Sequence, residues 1–228
     1  METVLITGAN RGIGLELTKR FLDAGSRVLG TYRDLDYAKE LAKLAKSSAL
    51  SLHRLDVSDA QSVDHLRDKL RDMTIDVLVN NAGIMGGERQ SLDDMDYSAW
   101  VRAFEVNTIA PFRLITSLRA NLQQSDNPRA VTLSSQMGAL SRQSTGSHAY
   151  RSSKAAVNKV MQVLSMELKA DGIVVCPVHP GWVRTDMGGN AADISVEESG
   201  SGLFDLIGSL TAEHSGRFWT WEGKEHPW

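Results

Sequence analysis

Residues 3–22 of the chain, TVLITGANRGIGLELTKRFL, contain the signals that decide its fold. Val4–Thr7 is a short apolar run that stops at a glycine, which is typical of a buried strand. From Leu15 to Leu22 the apolar residues recur with the spacing of an amphipathic helix. The stretch therefore predicts a strand, a glycine-rich loop and a helix in direct succession.

Apolar runs of the same kind recur along the chain, mostly with helix-length segments between them. The predicted strands are Val4–Thr7, Arg27–Tyr32, Leu50–Leu55, Ile75–Asn80, Ala130–Ser134, Ile173–Pro177 and Arg217–Trp221. Strands that alternate with helices form a parallel sheet with helices on both faces. We therefore predict an α/β chain with a doubly wound Rossmann fold and a single seven-stranded parallel sheet.

Helical patterning is clearest at 151–170, where five apolar residues keep to one face. They are Val157, Val160, Met161, Leu164 and Leu168. Ser195 and Glu198 form a predicted capping box, which opens a helix that runs to about Leu210. Because no linker, repeat or low-complexity block divides the chain, we predict one domain over residues 1–228.

Charge and cysteine content exclude several classes of function. The chain carries 25 basic and 28 acidic residues, a net charge of −3, and no stretch concentrates Lys and Arg. We therefore expect neither a nucleic acid nor a membrane as partner. Cys176 is the only cysteine, which excludes an intrachain disulfide and a thiolate metal site and fits a reducing cytoplasm. Since His148 and His179 have no carboxylate at ligand spacing, we expect no metal.

The loop after the first predicted strand, Thr7–Gly14, has the composition of a phosphate cradle. Glycines let the backbone approach a pyrophosphate, and the following helix N-terminus offers unpaired N–H groups with a partial positive charge. The candidate contacts are Gly8, Asn10, Arg11, Gly12, Ile13 and Gly14. The alternative is a tight turn whose glycines serve packing, but the position between a strand and a helix favours a dinucleotide.

The end of the second predicted strand, Gly30–Asp34, bears on the choice of dinucleotide. An acidic residue there would accept a hydrogen bond from a ribose hydroxyl, and a basic one would pair with a 2′-phosphate. Arg33, together with Arg11 of the glycine loop, can form a fork around a phosphate, whereas Asp34 argues for the free hydroxyl. We favour NADP(H) as cofactor and keep NAD(H) as the alternative; both charges can also be merely solvated.

Residues after the third and fourth strands are further candidates for cofactor contacts. Asp56, followed by Val57, can accept a hydrogen bond from an adenine amino group, or it can cap the helix expected after it. Asn80–Gly83 ends the fourth strand, and its small residues and carbonyls suit a wall against a cofactor. A turn that needs Asn and Gly would have the same composition. The candidates here are Asp56, Val57, Asn80, Ala82 and Gly83.

YRSSK, residues 150–154, places a phenol and an ammonium one helical turn apart on the same face. An isolated tyrosine has a pKa of about 10 and is a poor base at pH 7. Lowering this pKa by roughly three units takes about 4 kcal/mol, which an ammonium at about 4 Å supplies at an effective dielectric near 20. Tyr150 could then exchange a proton with an alcohol or carbonyl oxygen. Taken alone, such a pair is more often an ordinary surface contact.

Six features stand together in this chain: Thr7–Gly14, Asn80–Gly83, Asn107, Ser135, Tyr150 with Lys154, and Pro180–Thr185. In this order they are motifs of the short-chain dehydrogenase/reductase family, which the chain resembles over essentially its whole length. The resemblance implies that Tyr150 is the proton donor or acceptor, and that Lys154 lowers its pKa and holds the nicotinamide ribose. It also implies that Ser135 polarises the substrate oxygen and that Asn107 anchors a water in a proton relay.

The same resemblance implies that the stretch after the sixth strand contacts the nicotinamide. Its candidate residues are Pro180, Gly181, Val183 and Thr185. Ser135 is chosen over Ser134 because Ser135-Gln-Met-Gly138 fits the family's Ser-x-x-Gly pattern. The separation from Ser135 to Tyr150 exceeds the family's usual one, and the loop 140–148 is expected to absorb the extra residues.

Three longer stretches resemble the C-factor and sniffer-type branch of carbonyl reductases: Tyr150–Asn158, Pro180–Gly189 and Gly216–Trp228. This likeness implies an enzyme that reduces aldehydes and ketones with NADP(H), with a small-molecule carbonyl or alcohol as substrate. The short segment 186–194 suggests an open pocket. Family analogy implies a homodimer or homotetramer joined through helices such as 109–121 and 151–170.

Two other functions compete with the carbonyl reductase. A dinucleotide-binding signalling or regulatory protein would need the glycine loop but not the proton-transfer groups. The complete set of Asn107, Ser135, Tyr150 and Lys154 therefore favours the enzyme. A sugar-nucleotide epimerase or dehydratase would need a substantial C-terminal substrate domain, and only 43 residues follow Thr185.

Overall fold

The structure, a computed structural model, describes residues 1–45 and 47–228 and contains a seven-stranded sheet in that part of the chain. The strands are β1 (Thr3–Ile6), β2 (Arg27–Tyr32), β3 (Leu50–Arg54), β4 (Val77–Asn80), β5 (Arg129–Leu133), β6 (Val174–His179) and β7 (Trp219–Thr220). Every neighbouring pair is parallel, in the order β3-β2-β1-β4-β5-β6-β7. The predicted α/β fold with a doubly wound parallel sheet is confirmed.

Helices connect the strands. They are α1 (Gly12–Asp23), α2 (Lys39–Leu44), α3 (Ala60–Lys69), α4 (Tyr97–Phe104), α5 (Ala110–Ser117), α6 (Arg119–Leu122), α7 (His148–Glu167) and α8 (Val196–Ser209). A π-helical turn, Glu105–Ile109, joins α4 to α5, and a 3₁₀ turn, Gln136–Gly138, follows β5. None of the helices in residues 1–45 and 47–228 is both long and apolar enough to cross a membrane.

Helices cover both faces of the sheet because alternate strand residues point to opposite sides. In β1, Leu5 faces one apolar core, whereas Val4 and Ile6 face the other. The first core is closed by α3, α5 and α7, and the second by α1, α2 and α8. The apolar residues predicted for one face of the long helix α7 all pack in the first core.

The sequence pattern predicted the start of helix α8 but not the start of helix α7. At α8 the predicted capping box is confirmed: Glu198 N–H donates to the Ser195 hydroxyl, and Ser195 N–H donates to the Glu198 carboxylate. Helix α7 begins at His148, three residues before the predicted 151–170, and ends at Glu167. Its first two turns carry mostly polar residues, so an apolar repeat could not mark its start.

The strand order reverses at β1, which pairs with β2 on one side and with β4 on the other. In a doubly wound sheet this reversal opens a crevice at the carboxyl ends of the strands. The loops after β1, β4, β5 and β6 meet at that edge. The residues predicted to bind a cofactor and to transfer protons are carried mainly by these loops and by the start of α7.

Candidate active site

The glycine loop after β1 is folded so tightly that two of its positions favour glycine. Gly8 has a φ of +64°, in the left-handed region that side chains disfavour. A Cβ on Gly14 would lie 2.4 Å from the Gly8 carbonyl oxygen and 2.5 Å from Asn81 Nδ2. That amide donates to the carbonyl oxygens of Thr7 and Gly8, at 2.7 and 3.1 Å. Asn81 was not among the predicted site residues, although it lies within the motif Asn80–Gly83.

The N-terminus of α1 opens directly onto this loop. The helix begins at Gly12, and Arg11 before it is in an extended conformation. Within the described part of the chain no side chain caps this end, and its first turn contains no acidic residue. The first N–H groups of the helix, with their partial positive charge, are therefore available to an anion. The loop and helix fit the pyrophosphate of a dinucleotide, while the Ile13 side chain packs against the second core.

Two polar residues of the loop are engaged within the protein. Asn10 Nδ2 donates to the carbonyl oxygen of Tyr37 at 3.2 Å, which ties the loop to the turn after β2. The Arg11 guanidinium forms an ion pair with Asp186 at 2.6 Å, and both side chains are exposed. A fork of Arg11 and Arg33 around a phosphate would therefore require Arg11 to leave this carboxylate, which lies 175 positions along the chain.

The end of β2 carries the two charges that bear on cofactor choice. Asp34 Oδ1 accepts a hydrogen bond from the Asp36 N–H at 3.0 Å, so this carboxylate closes a local turn. Arg33 is exposed, and no ion pair engages its guanidinium within the described part of the chain. Arg33 is therefore better placed than Asp34 to meet a ligand from solvent.

Asp56 lies in a tight turn before α3. Its Oδ1 accepts hydrogen bonds from the Ser58 N–H at 3.0 Å and from the Ser58 hydroxyl at 2.6 Å. Burial by itself would raise the pKa of Asp56, but these bonds and the charges of Arg33 and Arg102 hold the pKa below its ordinary value. The helix cap considered for Asp56 is made by Asp59, whose carboxylate accepts from the first turn of α3.

Two predicted cofactor contacts direct their side chains into the protein. Asn80 is buried, and its Nδ2 donates to Thr132 Oγ1 at 3.3 Å on the neighbouring strand. The Val57 side chain is buried in the first core. The Val57 side chain and the Asn80 amide nitrogen are therefore engaged within the protein, and any cofactor contact of these residues would have to use their other atoms.

Ala82 and Gly83 link the glycine loop to the buried lysine. The Ala82 N–H donates to Thr7 Oγ1 at 3.0 Å. A Cβ on Gly83 would lie 3.2 Å from Asn107 Oδ1 and 3.6 Å from Lys154 Nζ. Because these residues are small, the loop after β4 passes close to the side chains of Asn107 and Lys154. The residues predicted to bind the cofactor therefore lie next to those predicted to transfer protons.

Tyr150 and Lys154 lie one turn apart on α7, and both are buried. The Lys154 Nζ atom is 5.7 Å from the centre of the Tyr150 ring. It donates a hydrogen bond to the carbonyl oxygen of Leu133 at 2.7 Å, at the end of β5. The Ser135 side chain lies close enough to the Tyr150 hydroxyl to lower the pKa of the phenol. The four predicted proton-transfer residues thus lie close together. Asn107 is near Lys154 because both side chains lie against Gly83.

The two neighbouring serines after β5 have different partners. The Ser134 hydroxyl is buried and donates to Asn158 Oδ1, away from the phenol. Ser135 caps the 3₁₀ turn, since its Oγ accepts from the Met137 N–H at 3.1 Å, and it also reaches Tyr150. Between that turn and His148 the chain has no helix or strand, so this loop accommodates the long Ser135 to Tyr150 separation. The geometry supports the choice of Ser135.

Burial sets the direction of the Tyr150 pKa in this structure, and the lowering expected from Lys154 stays a prediction. Burial raises the pKa of Tyr150 above its ordinary value, and the hydrogen bond from Ser135 offsets that increase only in part. Burial also lowers the pKa of Lys154 to about 8. The ammonium lies over the ring face and bonds to Leu133, so desolvation of the phenol outweighs any attraction to the amine. The phenol is therefore protonated at neutral pH.

Asn107 lies in the π-helical turn between α4 and α5. Its Oδ1 accepts from the Ile84 N–H at 2.9 Å, and its Nδ2 donates to the Ile84 carbonyl at 2.8 Å and to the Ser153 hydroxyl at 3.0 Å. The amide thus joins the loop after β4 to α7. Because these bonds occupy the side chain, a water at Asn107 would have to be held by backbone atoms, and the relay role stays a prediction.

The stretch after β6 folds back on itself. Gly181 has a φ of +90°, and a Cβ there would lie 2.3 Å from Ile194 Cδ1. Val183 pairs with Ile194 in an isolated bridge, and the Pro180 carbonyl accepts from Ser199 at 2.6 Å. Thr185 reaches the glycine loop, since its Cγ2 is 3.3 Å from the position of a Cβ on Gly12. Of the four predicted contacts in this stretch, Thr185 is thus directly against the crevice.

An open cavity of about 480 Å³ lies beside the first turn of α7. It is lined by residues between 85 and 94 of the loop after β4 and by Ser147. None of its lining residues comes from the segment 186–194, so that segment does not close it. His179, the last residue of β6, is buried, and burial, with His226 and Arg142 nearby, lowers its pKa to about 4.

Comparison with known proteins gives consistent results. Residues 2–194 match the family model described as short chain dehydrogenase. The C-signal of Myxococcus xanthus is 40% identical over 155 residues, which are 68% of this chain and 93% of that protein. The crystal structure of NADPH bound carbonyl reductase from chicken fatty liver superposes with a TM-score of 0.93 at 32% identity, covering 100% of this chain and 99% of that one. The carbonyl reductase Sniffer of D. melanogaster gives a TM-score of 0.94 at 29% identity, with 100% of both chains covered.

Proposed function

Since the chain belongs to the short-chain dehydrogenase family of oxidoreductases, we propose that it reduces small aldehyde or ketone carbonyls with NADP(H). The observation that carries the proposal is the buried Tyr150 phenol, which lies beside Ser135 with the Lys154 ammonium over its ring. This group lies at the crevice where the glycine loop fits a pyrophosphate. The proteins of similar structure named above are carbonyl reductases, which supports the same substrate class.

The chemistry assigned to the residues is proton transfer to the substrate oxygen. When bound, the reduced cofactor supplies a hydride, which goes to the carbonyl carbon. Tyr150 donates its proton to the carbonyl oxygen, so the product is an alcohol, and the phenolate regains a proton from solvent. Ser135, beside the phenol, donates a hydrogen bond from its hydroxyl to the same substrate oxygen once the substrate is bound. Because burial keeps Tyr150 protonated, the group suits reduction at neutral pH.

Different residues of the chain are assigned to different parts of the cofactor. The glycine loop and the N-terminus of α1 take the pyrophosphate. Arg33 is assigned to a 2′-phosphate, which favours NADP(H) over NAD(H), and Asp34 is already engaged in a turn. Arg11 contributes if it exchanges Asp186 for the ligand. Lys154 and Thr185 face the nicotinamide end, beside Gly83 and Gly12.

A spectrophotometric screen tests this function. The purified protein is mixed with NADPH or NADH and a panel of aldehydes, ketones and quinones, and oxidation of the cofactor is followed. We expect turnover with several carbonyl compounds and a preference for NADPH. Tight NADPH binding without oxidation across the panel would contradict the proposed reduction.

A second candidate is a dinucleotide-binding signalling or regulatory protein whose catalysis is incidental. The observation that favours it is the 40% identity to C-signal. Such a protein needs the glycine loop but gains nothing from a buried phenol, serine and lysine. Loss of a cellular phenotype in a glycine-loop variant, but not in Tyr150→Phe, would favour this candidate over the enzyme.

We also propose that the chain is one domain, residues 1–228, that it works in a reducing cytoplasm, and that it assembles as a homodimer or homotetramer. The assembly is supported by exposed apolar side chains on adjoining helical segments. They are Val101, Ile109, Phe112, Val163 and Met166. Sedimentation analysis should show an oligomer, and Phe112→Glu with Met166→Glu should shift it toward monomer. A monomer at high concentration for the parent protein would contradict the assembly.

A further inference from the structure

The first turn of α7 lacks a cap of its own. Ser147, the residue before the helix, is in the left-handed region with a φ of 52°, and its side chain makes no capping hydrogen bond. The first N–H groups of any helix need acceptors from outside the helix. Tyr150 is the third residue of this helix, so the position of that turn decides where the phenol lies.

The missing acceptor comes from Gln90, on the loop after β4. Gln90 Oε1 accepts from the Ala149 N–H at 2.8 Å, the bond that an N-cap side chain normally provides. Gln90 Nε2 donates to the carbonyl oxygens of Met85 at 3.0 Å and of Gly87 at 2.8 Å. The Gln90 backbone oxygen lies 3.1 Å from His148 Nδ1. One side chain thus ties its own loop to the residue that precedes Tyr150.

Close packing holds the loop against the same turn. Gly86 is buried with a φ of +85°, and a Cβ there would lie 2.7 Å from the Ala149 Cβ and 3.1 Å from the Ala103 Cβ. The loop is braced by a bridge between Gln90 and Met95. Because this packing prevents the loop from moving closer to the helix, it fixes the distance between the Gln90 amide and the Ala149 N–H.

We propose that Gln90 is a positioning residue, which caps α7 from a distant loop and thereby sets the Tyr150 hydroxyl against Ser135. This proposal rests on the proposed function, because the position of the phenol matters only if it transfers a proton. Gln90 itself does not touch the reacting atoms. It acts by accepting a hydrogen bond from the Ala149 N–H, which orients the next residue, Tyr150.

The first test is kinetic and uses Gln90→Leu, which removes the acceptor. We expect kcat of Gln90→Leu to fall by about 10-fold to 100-fold, the scale of a small misplacement of a reacting group. NADPH affinity should stay within about twofold of the parent.

The pH profile adds a readout that a purely structural role would not move. The hydrogen bond from Ser135 lowers the pKa of Tyr150, so its loss in Gln90→Leu should shift the alkaline limb of kcat to higher pH. Gln143→Leu is the matched control. Gln143 is exposed in the loop before α7 and makes no hydrogen bond within the described residues. If Gln90→Leu has the same kcat and the same alkaline limb of the pH profile as the parent, the proposal is overturned.

Hydrogen exchange separates this proposal from the proposed function. In the protein without substrate, the amides of Ala149 and Tyr150 should exchange faster in Gln90→Leu than in the parent, and Gln143→Leu should match the parent. If the parent reduces no carbonyl compound, the proposed function is wrong. The exchange rates still show whether Gln90 caps α7. Should Gln90→Leu not fold, Gln90→Asn, which is one methylene shorter, replaces it with the same expected direction. Parent-like exchange in that variant would overturn the cap.

Discussion

The Lys154 ammonium lies over the ring of Tyr150, 5.7 Å from its centre, one helical turn further along α7. A cation above an aromatic face is attracted to the ring, but this geometry does not place the charge at the hydroxyl. The amine donates to the Leu133 carbonyl, whereas Ser135 lies beside the phenol. The phenol therefore keeps its proton, which suits a donor in carbonyl reduction.

Tyr150→Phe should lower kcat by about 10² or more, the usual scale for the loss of a general acid. The ring and its packing are retained, so NADPH affinity should be nearly that of the parent. Single-turnover and equilibrium-binding measurements check both parts. Tyr97→Phe, on the exposed surface of α4, is the control and should behave as the parent does. Equal turnover in Tyr150→Phe and parent would refute the assignment.

Lys154→Met should change how stability depends on pH. The buried amine has a pKa of about 8 against an ordinary 10.5, so the unfolded chain binds the proton more tightly. The free energy of unfolding of the parent should therefore rise between pH 8 and about 10, by up to about 3 kcal/mol. Lys154→Met should lack this rise, as urea unfolding at several pH values will show. Lys159→Met, an exposed lysine of the same helix, should keep it.

Arg33→Ala should weaken NADPH binding by about tenfold or more and leave NADH binding within about twofold. The expected loss corresponds to one charge-assisted hydrogen bond to a 2′-phosphate. Fluorescence titration with each cofactor measures the two affinities. Arg27→Ala removes an exposed arginine from the opposite end of β2 and serves as the control. Equal weakening of both cofactors in Arg33→Ala would argue against NADP(H) selection by this residue.

His179→Gln should make the protein less sensitive to acid. Burial, with His226 and Arg142, lowers the pKa of His179 to about 4 from 6.5, so the folded state keeps this ring neutral. The stability linked to that neutral ring is present above pH 6.5 and is lost as pH falls through about 4, by up to about 3 kcal/mol. Denaturant unfolding between those pH values should show a smaller loss in His179→Gln. The exposed His65→Gln should lose as much as the parent.

Contacts close in sequence were predictable, and distant ones were not. The Ser195 and Glu198 capping box depends on residues three apart, and the structure contains it. The Arg11 and Asp186 ion pair joins positions 175 apart, and no local sequence pattern signals it. The Gln90 contact with Ala149 spans 59 positions and has no motif to signal it.

The sheet and the glycine loop followed from the sequence, because alternation of apolar runs and the steric freedom of glycine act over a few residues. Sequence spacing also put Tyr150 and Lys154 on one face of a helix, since 3.6 residues make a turn. Which atom the ammonium bonds, and the direction in which the phenol pKa moves, depended on burial beneath β5 and the loop after β4. Desolvation arises from every element packed around a group, and so only the tertiary structure decided it.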